Sequence, residues 1–97
     1  MSYEHELIQN HRKWLQQDLK GTASHCALLS LIACRLQRGE MKLKALLKLG
    51  SEQGYTPSAV RNILRRLMQA GLIEYEHKDP SIFVRLNTDG QQFLAGV

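Results

Sequence analysis

Two arginines and an asparagine share one side of the segment running from Pro57 to Ala70. At ~100° per residue, Ser58, Arg61, Asn62, Arg65 and Gln69 fall together, away from Val60, Ile63, Leu64 and Leu67, with Arg66 at the flank. These residue types suit the reading of double-stranded DNA. An Arg guanidinium grips guanine with two hydrogen bonds and an Asn amide does the same for adenine, each pair discriminating by ~1–3 kcal/mol. Ser58 and Gln69 suit phosphates or base edges, and a helix N-terminus itself favours a phosphate. As a helix the segment is a rod ~21 Å long, whose N-terminal half fits a major groove ~12 Å wide. The same side also suits plain solvent exposure, because arginine is a good helix former. Three arginines without an acid over residues 57–70 tilt the balance toward a polyanionic partner.

The wider charge distribution points the same way. The chain has 97 residues, with 13 Lys+Arg against 9 Asp+Glu, a formal charge of +4. Residues 1–20 are neutral, residues 21–56 and 57–70 each carry +3, and residues 71–97 carry −2. The basic excess therefore lies between Arg35 and Arg66, and Lys44 and Lys48 join the arginines as candidate phosphate contacts.

Other chemistries find little support. His5, His11, His25 and His77 show no i, i+4 pairing, and Cys26 and Cys34 are eight residues apart, so no metal site is expected. On one helix those cysteines stand ~12 Å apart, too far for a disulfide. Set among leucines, they read as buried, inert thiols, with redox sensing the lesser alternative. Two cysteines without a disulfide framework suit a reducing cytoplasm. No phosphate-cradling glycine loop, nucleophile elbow or His-Glu-x-x-His occurs, and no enzyme or cofactor is expected. The longest apolar stretch, Cys26 to Cys34, spans nine residues, against ~20 for a membrane helix. The polar, acidic start Met-Ser-Tyr-Glu-His-Glu gives no expectation of a secretory leader.

The length suits one domain over residues 1–97. Leu7, His11, Leu15 and Leu19 recur every four residues, with Ile8 beside them and Trp14 near the edge, which predicts a helix over 3–19. Gly21 is its natural stop. A second helix over 23–38, capped by Thr22 or Ser24 and closed by Gly39, is apolar on almost every face and reads as central and buried. Residues 40–42 suit a short strand, and Leu43, Leu46 and Leu47 a helix ending near Gln53, with Gly50 unusual inside it. Thr56-Pro57 is the clearest start signal, a good N-cap before a proline at the first helical position. Gly71-Leu72 reads as the terminus. Ile73–Glu76 and Ile82–Leu86 alternate as hairpin strands around a turn in His77–Ser81. Asn87 or Thr88 then caps a short helix bearing Phe93 and Leu94. The expected class is mainly α with a small β-hairpin, in the order α, α, short β, α, α, hairpin, α.

The segment Thr56-Pro57-Ser58-Ala59-Val60-Arg61-Asn62-Ile63-Leu64-Arg65-Arg66-Leu67-Met68-Gln69-Ala70-Gly71-Leu72-Ile73 resembles the recognition helix and first wing strand of winged helix-turn-helix regulators. Arg85-Leu86-Asn87-Thr88-Asp89-Gly90-Gln91-Gln92-Phe93-Leu94 resembles the stretch after the wing in MarR-like and PadR-like families. The resemblance covers roughly residues 40–95. It implies a cytoplasmic, nucleoid-associated transcriptional regulator that binds double-stranded DNA sequence-specifically, with recognition helix 57–70 and wing 72–86. Base-reading positions fall on Ser58, Arg61, Asn62 and Arg65, so Arg61→Ala is expected to relax base preference. The wing departs from strong DNA binders: Glu74, Glu76 and Asp79 accompany Lys78 and Arg85. His77, Lys78 and Arg85 are its candidates for a marginal contact. The N-terminal helix, residues 1–20, lies outside the motif and is the expected homodimerisation element. Two alternatives stay open, a winged-helix protein-interaction module and an accessory factor of replication, recombination or mobile elements.

Overall fold

The computed structural model describes residues 3–20 and 24–95, and their side chains except at 18–20, 24 and 25. Within these residues five helices and three strands follow in the order α1 (Tyr3–Lys20), α2 (Ser24–Gln37), β1 (Met41–Lys42), α3 (Leu43–Glu52), α4 (Pro57–Gln69), β2 (Ile73–Lys78), β3 (Ser81–Leu86) and α5 (Thr88–Ala95). The molecule is mainly helical with a small antiparallel sheet of order β1-β3-β2. No described helix is long and apolar enough to cross a membrane.

Local chemistry fixes α4 at both ends. Thr56 is extended, at φ −75° and ψ 157°, and its Oγ1 accepts from the Ala59 N–H at 3.2 Å, with Pro57 opening the helix. At the far end the Leu72 N–H donates to the Leu67 carbonyl and the Gly71 N–H to that of Met68. This paired closure needs a left-handed residue, which Gly71 supplies at φ +71°. α3 ends the same way, with Tyr55 donating to Gly50 and Gly54 to Ser51.

Between these ends α3 and α4 approach closely. A Cβ at Gly50 would run into the Val60 side chain. The residue that looks out of place within α3 is therefore what lets the two helices meet.

The hairpin is longer than its polar centre suggests. Pairing continues from Ile73↔Leu86 out to His77↔Ile82 and Lys78↔Ser81, leaving Asp79-Pro80 as the connection, with a cis peptide bond between them. β1 adds to the other edge of β3 through Met41↔Val84 and Lys42↔Phe83. Asn87 locks α5 to the end of α4. Its Nδ2 donates to the Gly71 carbonyl at 2.7 Å, its backbone N–H donates to the Leu72 carbonyl at 3.1 Å, and its Oδ1 accepts from the Gly90 N–H at 2.7 Å. Of the two candidate caps, Asn87 is the one used.

One core cluster draws on every helix and on β2 and β3: Leu15, Leu28, Leu29, Ile32, Leu36, Leu46, Val60, Ile63, Leu64, Leu67, Leu72, Ile73, Val84, Leu86 and Leu94 are buried. Two expectations need correction. α2 is not covered on all sides: Ala27 and Cys34 are exposed and Leu31 is half-buried, because α1, α4 and β3 cover only part of its circumference. Cys26 is half-buried and Cys34 is exposed, so Cys34 is not the buried thiol its neighbours suggest. On α1, Leu15 is fully buried while Leu7 is 41% exposed. The expected stop and cap at Gly21 and Thr22 lie outside the described residues.

Candidate nucleic-acid interface

The apolar stripe of α4 fixes which side of the helix faces out. With Val60, Ile63, Leu64 and Leu67 in the core, Ser58, Arg61, Asn62, Arg65 and Gln69 are all exposed. Among the described residues no side-chain hydrogen bond or ion pair engages Arg61, Asn62 or Arg65. Their donors face solvent, as a groove-reading surface requires. Met68 also emerges on this helix, 37% exposed.

Arg66 stands apart from that set. Its guanidinium lies over the Trp14 ring, 4.0 Å from the centroid, and the residue is half-buried. Its cation is thereby engaged on α1.

One of the two α3 lysines meets the α4 surface at a cleft. Lys44 and Lys48 are both exposed. Lys44 and Arg61 line one open cleft of about 390 Å³, together with Lys42 and with Pro80, Ser81 and Ile82 from the hairpin turn. Lys48 lies outside that lining. Lys42 does not stand out in the sequence, where it is one more base in a basic block; only folding brings β1, α4 and the hairpin turn together.

The hairpin cations are neutralised within the molecule. Lys78 Nζ donates to Glu40 Oε1 at 2.8 Å, lies 3.9 Å from Glu76 and sits over the Phe83 ring at 4.7 Å. The hydrogen bond to Glu40 holds the Lys78 ammonium protonated above its ordinary range, with the charges of Glu40 and Glu76 adding to it. Arg85 bridges Glu74 at 3.1 Å and Glu76 at 3.2 Å. His77 is exposed beside them. On the same strand Tyr75 is 38% exposed, and burial of its remainder pushes the phenol's pKa up.

Arg12 is a further structural cation that spacing alone does not reveal. Its Nε donates to the Ala70 carbonyl at 3.0 Å and its guanidinium meets Asp89 at 3.3 Å, tying α1 to the end of α4 and to α5. No group of three His, Cys, Asp or Glu side chains among the described residues is placed to hold a metal ion. In comparisons with known proteins, no family model and no curated protein matches this chain.

Proposed function

We propose that this chain is a winged helix-turn-helix protein that binds double-stranded DNA and regulates transcription, with α4 in the major groove. The observation that carries the reading is the row of exposed, unpartnered donors on α4, Arg61, Asn62 and Arg65 with Ser58 and Gln69, on a helix without an acid. The framework supports it. A short strand precedes two helices in close contact, joined by a tight turn, and a hairpin returns beside that strand. Lys44 and Lys48 supply phosphate contacts from α3.

The same reading takes the protein as a homodimer through α1, where Tyr3 is 78% and Leu7 is 41% exposed, one turn apart. A two-fold dimer of this kind sets its recognition helices ~34 Å apart, which calls for a palindromic site. Light scattering that returns the mass of a single chain would remove the dimer.

The DNA reading is tested by titrating the protein against random duplex DNA at two salt concentrations, followed by fluorescence anisotropy. Affinity that falls steeply with salt is the expected outcome, because each phosphate contact releases counterions. No binding at low salt turns the assignment to a protein-docking module. One observation favours that second reading: Glu40, Glu74 and Glu76 hold the hairpin cations that a DNA-binding wing would direct at phosphates.

A further inference from the structure

Three elements converge on the cleft beside the α4 surface: the start of α3, the first half of α4 and the hairpin turn. Lys42, Lys44 and Arg61 line it with positive charge, Leu43, Leu47 and Ile82 give it an apolar wall, and no carboxylate lines it. We propose that this cleft seats the sugar–phosphate backbone of one DNA strand, with Arg61 acting as a backbone clamp and not as a base reader. The proposal rests on the DNA-binding reading and divides the work of α4: Arg61 with Lys42 and Lys44 holds phosphates, while Asn62 and Arg65 face the bases.

Complementarity of charge and polarity selects the occupant. A nucleic-acid strand alternates anionic phosphates with the C–H faces of sugars, and the cleft offers cations beside an apolar wall. Lys42, Lys44 and Arg61 are exposed and unpaired among the described residues, whereas the hairpin's own cations are already held by Glu40, Glu74 and Glu76. The start of α3 adds to the attraction. Lys42 is its N-cap, extended at φ −65° and ψ 139°, and makes no side-chain capping bond. The first N–H groups of α3 thus lack the side-chain acceptor that a Ser or Asp cap would provide, and their dipole favours a phosphate. The hairpin turn then has a task its neutralised cations do not give it, as the wall that completes the cleft through Pro80 and Ile82.

Losing a backbone contact lowers affinity for every sequence alike, whereas losing a base contact lowers it mainly for the preferred site. The test compares random duplex with a site selected from a random pool, using the full chain and the variants Lys42→Ala/Lys44→Ala, Arg61→Ala, Arg65→Ala and Lys13→Ala. The double variant should weaken both duplexes by the same factor and reduce the slope of log affinity against log salt by ~2, and Arg61→Ala by ~1. Arg65→Ala should weaken the selected site more than random duplex. Lys13, exposed on α1 and outside the cleft lining, should leave the slope nearly unchanged. All these side chains are exposed, so the variants should match the wild-type circular dichroism spectrum. Selective loss on the chosen site with Arg61→Ala, an unchanged slope in the double variant, or an equal fall with Lys13→Ala overturns the cleft while DNA binding stands. Failure of the wild-type chain to bind any duplex at low salt overturns the DNA-binding reading and the cleft with it.

Discussion

The Arg66 guanidinium rests on the face of Trp14, 4.0 Å from the ring centroid, and so ties α1 to α4. A cation over an aromatic face at a partly exposed site contributes ~0.5–1 kcal/mol. Arg66→Ala should therefore lower the unfolding free energy in urea by an amount of that order and leave the salt slope of DNA binding unchanged. Arg65→Ala, on the open side of the helix, should leave the unfolding free energy nearly unchanged and weaken binding to the selected site. A flatter salt slope in Arg66→Ala would return this residue to the phosphate-contacting set that sequence alone assigns it.

Arg12 makes the second tie between α1 and the end of α4. Its Nε–H reaches the Ala70 carbonyl at 3.0 Å, where the helix leaves carbonyl groups without a partner of their own. A charged donor to such an acceptor is worth ~1.5–3 kcal/mol, so Arg12→Ala should cost about that in denaturant unfolding. Asp89 is 63% exposed on its side chain, and an exposed ion pair gives ~1 kcal/mol at most. Asp89→Asn should accordingly be much milder. Equal losses for the two variants would show that the ion pair, and not the carbonyl bond, holds the contact.

Gly50 and Val60 set the separation of α3 and α4. A methyl group at Gly50 collides with the Val60 side chain, and overpacking of this kind costs ~1–3 kcal/mol. Gly50→Ala should destabilise by an amount in that range even though alanine is the better helix former. Adding Val60→Ala opens the space again, so the double variant should be more stable than the sum of the two single losses predicts. Strict additivity in thermal or urea unfolding would show that the contact is not limiting.

What sequence makes legible here is what short-range chemistry determines. The ends of α4 are written in Thr56-Pro57 and Gly71-Leu72, because a capping hydroxyl and a left-handed glycine act within a few residues. The outward side of α4 follows from the period of its buried residues. α2 is less legible: composition records that Ala27, Leu31 and Cys34 are small or apolar, but which side stays uncovered depends on where α1, α4 and β3 pack. His77 to Ser81 reads as a loop because it is polar, yet cross-strand pairing with Ser81 and Ile82 extends both strands. Long-range partners are not legible at all. Lys78 finds Glu40 across 38 positions and Arg12 finds Ala70 across 58. The cleft likewise joins residues near 42, 61 and 80, so neither Lys42 nor the altered role proposed for Arg61 has a local signal.

Alkaline pH should loosen the hairpin. The Tyr75 phenol is shifted up by burial and the Lys78 ammonium is shifted up first by its hydrogen bond to Glu40. A group whose folded pKa exceeds its unfolded value holds its proton more tightly in the native state. Its contribution is complete below the unfolded value and is lost as pH rises through the folded one. The ordinary values are 10.0 for Tyr75 and 10.5 for Lys78, so both losses begin above those points and neither acts at neutral pH. Urea midpoints should fall above that threshold, and Tyr75→Phe should make the fall shallower. An alkaline limb identical in Tyr75→Phe and wild type would exclude the phenol as a source.

The acids of the hairpin should restrain DNA binding more than they stabilise the fold. Glu74 and Glu76 hold Arg85 at 3.1 and 3.2 Å, and Glu76 also lies 3.9 Å from Lys78. The partners are about half exposed, so each pair contributes ~1 kcal/mol or less. Glu74→Gln/Glu76→Gln removes two negative charges from the hairpin and frees Arg85. If the hairpin lies near a DNA strand, the double variant should bind random duplex more tightly and with a steeper salt slope, because a released cation adds a phosphate contact worth ~0.9 in slope. The change in unfolding free energy should stay small. If affinity rises with no change in slope, Arg85 does not reach a phosphate, and the gain comes only from relief of repulsion. If affinity does not rise at all, the hairpin stands away from the DNA, and the neutralised cations instead mark a surface suited to a protein partner.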